Sequence, residues 1–219
     1  MSVLNSYQRS VLTKFQSDPF FKDTFYFTGG TALAEVYLHH RYSDDLDFFS
    51  ALPFNSQSVF NRISSWADEL GYSIQQEFLE PNHMYFLTFK DRFELKLDFA
   101  HYPFTQLEKP TVFNHLLKVD SLRDISANKL ITITQRNEIK DYVDLYFIFK
   151  KYSFWKIRTD CFEKFKTDID PYLFASDILQ VMEFDYLPKM IEPLSQPELQ
   201  AFYTDLAKTL GRPHTDDGR

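Results

Sequence analysis

Two aspartates separated by a single residue, Asp45 and Asp47, are the feature of the sequence best suited to chemistry. They lie in the segment Asp45–Phe49, which is typical of a short β-strand. Since side chains alternate between the two faces of a strand, both carboxylates point to the same face. Carboxylates this close repel each other unless a cation lies between them, and Mg²⁺ is typically held by carboxylates together with substrate phosphates. The Asp-x-Asp pattern is common, and it also fits a solvated acidic strand end.

A second segment, Phe93–Phe99, repeats this alternation, with apolar residues at odd positions and charged residues at even positions. Lys96 and Asp98 therefore share one face of a predicted strand. If both segments belong to one sheet, Asp98 lies beside the first two aspartates. Three carboxylates can bind two metal ions and can include a general base for a hydroxyl nucleophile. Taken alone, the segment also fits an ordinary amphipathic edge strand.

A third feature is the turn formed by Gly29, Gly30 and Thr31, which follows the β-prone run Thr24–Thr28. Thr31 is predicted to cap a helix over residues 31–40. Unobstructed backbone N–H groups and the positive end of a helix meet at this turn, so it is suited to binding phosphates. It is not a P-loop, because the pattern Gly-x4-Gly-Lys-Ser/Thr is absent.

A pair of helical segments later in the chain carries further charged residues. Lys129, Thr132 and Arg136 fall on one stripe of the first helix, because their offsets are three and seven. Asp141 and Asp144 share a face of the next helix. One interpretation is a cationic stripe that holds a nucleoside triphosphate. The other is an ion pair of Arg136 with either aspartate, which only joins the two helices.

The elements that must position these residues change in character along the chain. The first half alternates helical and β-like segments, whereas helical periodicity dominates after about residue 120. The predicted helices are 2–17, 31–40, 56–70, 121–137, 137–152, 154–167, 173–185 and 196–210, and the predicted strands are 24–28, 45–49, 72–78, 83–89 and 93–99. The sequence thus predicts an α+β fold, with an α/β domain over residues 1–118 and a helical domain over residues 119–219.

Composition excludes several classes of protein. The net charge of −7 means that the chain as a whole is not an electrostatic binder of nucleic acid, although a local basic face is compatible with it. The single cysteine, Cys161, excludes an intramolecular disulfide and a cysteine-built zinc or iron–sulfur site. No segment reaches the roughly 18 apolar residues of a membrane helix, and the N-terminus has no signal-peptide core. We therefore expect a cytoplasmic protein that does not contact a membrane.

The order of these features resembles a known family. The segment Gly29–Phe49 is similar to the first motif of the polymerase-β-type nucleotidyltransferases, in which a Gly-Gly or Gly-Ser turn and a helix precede an acidic pair. More narrowly, residues 24–150 resemble the AbiEii/AbiGii-toxin family of minimal nucleotidyltransferases. The matching positions are, in chain order, Gly29, Gly30, Arg41, Ser43, Asp45, Asp47, Lys96, Asp98, Asp124–Leu130, Arg136 and Asp141–Leu145. As an ordered set they are far more specific than any single piece.

The resemblance implies a nucleotidyltransferase-type mixed sheet flanked by helices, and it implies roles for the matching residues. Asp45 and Asp47 would hold Mg²⁺, or alternatively Mn²⁺, on the triphosphate of an NTP. Asp98 would complete a second metal site or activate the acceptor hydroxyl. The remaining candidates for nucleotide binding are Gly29, Gly30, Thr31, Ser43, Lys96, Lys129, Arg136 and Asp144. For Asp144 the sequence leaves open whether it orients Lys129 or contacts substrate, and for Arg136 it leaves the ion-pair interpretation open.

The function implied by the resemblance is transfer of a nucleoside monophosphate from an NTP to an RNA, possibly tRNA, or to a protein hydroxyl. Such a protein would be the toxin of a type IV toxin–antitoxin or abortive-infection system, with a cognate antitoxin as a partner. An RNA acceptor would need a basic patch, for which the candidates are Lys150, Lys151, Lys156 and Arg158, although a solvated helical face explains them as well. The alternatives are a non-catalytic nucleotide- or partner-binding module on the same fold and, less favoured, a haloacid-dehalogenase-type phosphatase, whose acid pair should be followed by threonine rather than by Phe48.

Overall fold

A computed structural model describes residues 2–79, 81–113 and 117–212 of the chain. The chain divides into two compact units, Met1–Ile125 and Ser126–Arg219. This division lies a few residues beyond the predicted domain boundary after residue 118, and that boundary stays a prediction.

A mixed sheet forms the centre of the first unit. The described strands are β1 Tyr26–Thr28, β2 Leu46–Ser50, β3 Tyr72–Leu79, β4 Asn82–Phe89, β5 Glu94–His101, β6 Thr111–Phe113 and β7 Leu117–Val119. Their order across the sheet is β3-β4-β5-β2-β1-β7-β6. Strand β2 runs parallel to β5, and β1 runs parallel to β7, whereas the other neighbours are antiparallel. The α+β mixed sheet is confirmed, and two short strands, β7 beside β1 and β6 at the edge, are additions that the sequence did not predict.

Five α-helices belong to the first unit among the residues that the structure describes: α1 Ser6–Ser17, α2 Pro19–Thr24, α3 Gly29–Ala32, α4 Ser56–Ser65 and α5 Ala67–Leu70. Side chains cap the start of three of them, α1, α2 and α4. Asn5 caps α1 and Asn55 caps α4, because each side chain accepts a hydrogen bond from a backbone N–H in the first turn. Gly71 ends α5 with φ 76°, a left-handed conformation that glycine adopts without strain. The predicted end of the 56–70 helical segment at Gly71 is therefore confirmed.

The helical segment after β1 differs from the prediction in two ways. It begins at Gly29, and its N-cap is Thr28 without a side-chain capping bond, so the prediction that Thr31 caps it is wrong. After Ala32 the backbone continues as a π-helix, Leu33–Leu38, and ends at His39 with φ 53°. Short π-helical segments are rare and are found mostly at functional sites. The Thr31 hydroxyl instead donates a hydrogen bond to the backbone carbonyl of Asp45.

Aromatic rings fill one face of the sheet. Phe48 of β2 stacks on Phe99 of β5 with ring centroids 5.2 Å apart, and Phe15 of α1 stacks on Phe48 at 4.4 Å. All three are fully buried. Because side chains alternate along a strand, the residues next to Phe48 and Phe99 point to the opposite face, and these neighbours are Asp47 and Asp98.

The second unit is helical. Its described helices, the first of which starts in the first unit, are α6 Leu122–Ile133, α7 Ile139–Phe149, α8 Phe154–Phe165, α9 Pro171–Ile178 and α10 Gln196–Leu210, and a 3₁₀-helix Leu179–Glu183 follows α9. These match the predicted helical segments to within a few residues at each end. Cys161 is fully buried on α8 and donates from its thiol to the Ala127 carbonyl, as a core cysteine does. In the described ranges no helix is long and apolar enough to cross a membrane.

Candidate active site

Two of the three aspartates lie directly side by side. Asp47 of β2 and Asp98 of β5 are register partners on neighbouring parallel strands, and Thr28 of β1 is the partner of Asp47 on its other side. Paired positions on adjacent strands point to the same face of a sheet. The sheet therefore brings together two carboxylates that come from distant segments of the chain, on the face opposite the phenylalanine core.

Asp45 lies just before strand β2, which begins at Leu46 rather than at Asp45 as predicted. Its side chain is half-buried. The Thr31 hydroxyl donates a hydrogen bond to the backbone carbonyl of Asp45, which ties the glycine turn to the acidic segment. Thr31 is itself 1% exposed, so its side chain is committed to this contact.

Lys96 lies among the aspartates. Its Nζ is 2.7 Å from Oδ2 of Asp98. Burial lowers the pKa of Lys96, but the hydrogen bond that its ammonium donates to Asp98 and the negative charges of Asp98, Asp45 and Asp47 outweigh burial, so the pKa lies above its usual value. Lys96 is therefore a permanent cation that offsets part of the negative charge of the site.

Asp98 keeps one oxygen available. Its Oδ1 is buried and has no hydrogen-bond partner among the described residues. A buried carboxylate oxygen without a partner is costly, and a cation is one way to satisfy it. The chemistry of the residues thus fits a divalent ion of the Mg²⁺ type, which needs only one or two carboxylates when substrate phosphates supply further oxygens. Within the described ranges no three His, Cys, Asp or Glu side chains form a complete metal-binding group.

The glycine turn packs tightly against these side chains. Gly29 has φ 73°, and a Cβ atom there would lie 1.9 Å from Oδ2 of Asp47. A Cβ atom on Gly30 would lie 2.6 Å from Nη2 of Arg41 and 3.2 Å from Oγ of Ser43. Gly29 therefore requires glycine, because its backbone is left-handed and a side chain would collide with Asp47, whereas a side chain on Gly30 would displace the guanidinium of Arg41. The turn, the Arg41–Ser43 segment and Asp47 thus form one contact group in the first unit.

Sequence reasoning missed one residue of this group, Gln8 of α1. Its side-chain Nε2 donates to the backbone carbonyl of Ser43 at 2.7 Å and to that of Asp44 at 3.0 Å. Gln8 is 1% exposed. The only signal in the sequence is the spacing of Asn5 and Gln8, which fits a capping box at the start of a helix and says nothing about a loop far along the chain.

In the second unit, α7 neutralises the charged residues of α6 and of the segment that follows it. Helix α6 ends at Ile133, so Arg136 lies beyond the helix and not on its stripe as predicted. Lys129 Nζ lies 2.7 Å from Oδ1 of Asp141 and 2.6 Å from Oδ2 of Asp144, and both aspartates are fully buried. Arg136 reaches Asp141 with two nitrogens, at 2.7 and 3.1 Å. The ion pair between Arg136 and Asp141 is the one that the second interpretation of the sequence predicts. Lys129 also takes part, so its side chain holds the two helices together whatever else it contacts.

The acidity of Asp141 follows from this network. Burial raises its pKa, but the charges and hydrogen bonds of Lys129 and Arg136 outweigh burial, so the pKa lies below its usual value of 3.8. A carboxylate whose pKa is lower in the folded state stabilises the fold above its unfolded pKa, and this contribution is lost as the pH falls through the folded value.

We therefore expect the free energy of unfolding to fall as the pH drops from about 5 to about 3, and to fall less steeply in Asp141→Asn. Urea unfolding followed by circular dichroism at a series of pH values measures the slope. Asp205→Asn is the matched control, because Asp205 forms an exposed pair with Lys208 at 3.0 Å that is worth little. Equal slopes for wild type and Asp141→Asn would contradict the expectation.

Two of the four residues of the candidate basic patch form ion pairs with acids. Lys156 pairs with Asp160 at 2.5 Å, and Arg158 pairs with Asp168 at 2.7 Å. Lys150 lies over the ring of Tyr146, with its Nζ 4.3 Å from the centroid. These contacts favour the solvated helical face over a dedicated RNA surface.

Comparisons with known proteins identify the family of the chain. A family model described as the nucleotidyl transferase AbiEii toxin of type IV toxin–antitoxin systems matches residues 10–216. The uncharacterised protein aq_aa25 of Aquifex aeolicus (strain VF5) is 34% identical over 161 residues, which cover 72% of each chain.

Solved structures share the fold. One is a Helicobacter pylori protein crystallised as a candidate nucleotidyltransferase, with a TM-score of 0.59 and 20% identity over 94% of this chain and 92% of that chain. Another is the nucleotidyltransferase toxin MenT4 of Mycobacterium tuberculosis H37Rv, with a TM-score of 0.58 and 17% identity over 94% of this chain and 84% of that chain. At these identities the likeness concerns the fold alone.

Proposed function

The chain belongs to the AbiEii family of nucleotidyltransferase toxins, and from this premise we propose that Asp45, Asp47 and Asp98 form the catalytic centre of a metal-dependent enzyme. Family membership makes the protein a nucleotidyltransferase, whose nucleotide comes from a nucleoside triphosphate. The observation that carries the proposal is the register of β2 and β5, which sets Asp47 opposite Asp98 beside the glycine turn.

The proposed metal ligands are the carboxylates of Asp47 and Asp98, with Asp45 as the third acid. A bound Mg²⁺ or Mn²⁺ ion would supply positive charge to the attacking and leaving oxygens of an in-line displacement. The unpartnered Oδ1 of Asp98 supports its assignment, because this atom is available either to a cation or to the proton of the acceptor hydroxyl. The ammonium group of Lys96 would offset part of the negative charge of the three aspartates before the nucleotide binds.

The reaction itself is a displacement at the α-phosphorus of the NTP. The acceptor oxygen forms a bond to the α-phosphorus. The bond from this phosphorus to the oxygen that bridges it to the β-phosphorus breaks, and pyrophosphate leaves. Gly29 and Gly30 would present backbone N–H groups to the β- and γ-phosphates, and their lack of side chains supports this role. Thr31 would contribute through its backbone, because its hydroxyl is already bonded to Asp45.

Further proposed nucleotide contacts are Ser43, Lys96, Lys129 and Arg136, whereas Asp144 is proposed to serve the nucleotide through Lys129. Ser43 and Lys96 are supported by their places beside Gly30 and Asp98. For Lys129 the ion pairs with Asp141 and Asp144 mean that a contact with phosphate would have to compete with two carboxylates. Asp144 is then a residue that orients Lys129.

We propose an RNA, with tRNA as the first candidate, or a protein hydroxyl as the acceptor, and a toxin role opposed by a cognate antitoxin. The proposed acceptor and role follow from the family, whose description names a type IV toxin–antitoxin system. The alternative is a module on the same fold that binds a nucleotide without turning it over. The presence of all three acids favours the enzyme.

The experiment is incubation with each α-³²P-labelled NTP, Mg²⁺ or Mn²⁺, and either total tRNA or whole lysate. A labelled macromolecule identifies donor and acceptor together, and released pyrophosphate confirms the chemistry. Asp47→Asn should abolish labelling. Metal-dependent NTP binding without pyrophosphate release would favour the binding module, and labelling that survives Asp47→Asn would show that the site is assigned wrongly.

A further inference from the structure

Asp45 differs from Asp47 in how its backbone is held. Asp47 lies within β2, where pairing with β1 and β5 fixes its peptide groups. Asp45 lies just before the strand, so the peptide group that joins it to Asp44 is outside the strand ladder. Two side chains hold the backbone here instead. Thr31 donates its hydroxyl hydrogen to the carbonyl of Asp45, and Gln8 donates from Nε2 to the carbonyl of Asp44 at 3.0 Å.

The amide of Gln8 uses its donors and its acceptor at once. Its two N–H bonds point at the carbonyls of Ser43 and Asp44, and its Oε1 accepts from the backbone N–H of Asn5 at 2.9 Å. The Asn5 side chain in turn accepts from the Gln8 backbone at 2.9 Å, which completes the capping box of α1. Of the natural side chains of this length, only glutamine offers two donors and one acceptor, so the contact is specific to it.

We propose that Gln8 is a positioning residue of the catalytic centre: it anchors the Ser43–Asp44 backbone to α1 and thereby sets the direction of the Asp45 carboxylate. The proposal rests on the proposed function, in which Asp45 acts on the metal-bound triphosphate. Rotating the peptide group before Asp45 would swing its Cβ atom away from Asp47. Misplacements of about 1 Å cost about 100-fold in rate in well-aligned sites.

Gln8→Glu is the test, because glutamate has the same shape and keeps the oxygen that accepts from Asn5. Its second oxygen replaces the donor nitrogen and faces two carbonyl oxygens, so it repels them. We expect kcat for nucleotide transfer to fall about 10- to 100-fold at saturating NTP. Amide hydrogen exchange over residues 43–46 should become faster. Gln8→Met, which is apolar and of similar length, serves if the glutamate variant fails to fold.

Asn5→Ala is the matched control. It removes the helix cap from the same turn of α1 but leaves the Gln8 amide facing the loop, so it separates loss of stability from loss of position. At a temperature where both variants are folded, Asn5→Ala should keep the wild-type kcat and the wild-type exchange over 43–46.

The outcomes separate this proposal from the proposed function. Equal kcat values for Gln8→Glu and Asn5→Ala in an active enzyme would overturn the positioning role. A wild-type protein that labels no acceptor contradicts the proposed function instead. In that case amide hydrogen exchange is the only test of the positioning role of Gln8. Unchanged exchange over residues 43–46 in Gln8→Glu would overturn that role.

Discussion

Replacing Asp47 with asparagine should lower nucleotide transfer by about 10³-fold, which corresponds to about 4 kcal/mol in the activation free energy. The change removes a negative charge and keeps the shape, so the close contact with Gly29 is preserved. The fold should persist, because β2 is paired on both sides at Asp47, with Thr28 of β1 and Asp98 of β5. Steady-state transfer of labelled nucleotide measures the effect, and circular dichroism verifies the fold.

Asp44→Asn is the control for this experiment. Asp44 lies in the same acidic run, but it is exposed and lies just outside the start of β2. Removing its charge alters the net charge of the chain by the same amount as Asp47→Asn. The transfer rate of Asp44→Asn should therefore exceed that of Asp47→Asn by the whole reduction expected for Asp47. Similar rates for the two variants would refute the assignment of Asp47.

Replacing Lys129 with methionine should destabilise the protein by about 3–5 kcal/mol. The ammonium group lies between Asp141 and Asp144, and both carboxylates are fully buried. Without it, Arg136 still reaches Asp141, but the two buried carboxylates lose the cation that they share. Urea unfolding at neutral pH measures the loss as a shift of the midpoint at an unchanged m-value.

Lys140→Met provides the comparison for this second prediction. Lys140 pairs with Glu138 at 3.1 Å with both side chains substantially exposed, and such pairs contribute about 0–1 kcal/mol. A large difference between the two lysine variants identifies burial as the cause. If Lys129→Met instead retains its stability and loses only nucleotide transfer, the ion pairs are not structural and the proposed contact with the nucleotide gains support.

Much of the fold follows from local patterns. The alternation in Phe93–Phe99 determines which face of β5 carries Lys96 and Asp98, because a strand has a side-chain period of two. Helical periodicity likewise locates the helices from α6 onward. Local rules fail where a distant partner competes for a side chain: Thr31 does not cap its helix, since its hydroxyl is bonded to the Asp45 carbonyl. No sequence pattern considered above predicts the π-helix Leu33–Leu38 that follows.

Residue type and periodicities of a few residues are enough to identify the acids, the shared face of Lys96 and Asp98, and the glycine turn. Three features exist only in the folded chain: Asp47 and Asp98 are register partners, Gln8 holds the loop before Asp45, and two buried aspartates share Lys129. Each of these contacts joins separate elements of the chain. Strand register and long-range hydrogen bonds are selected by the packing of the whole core, and periodicity within one segment carries no information about its partner.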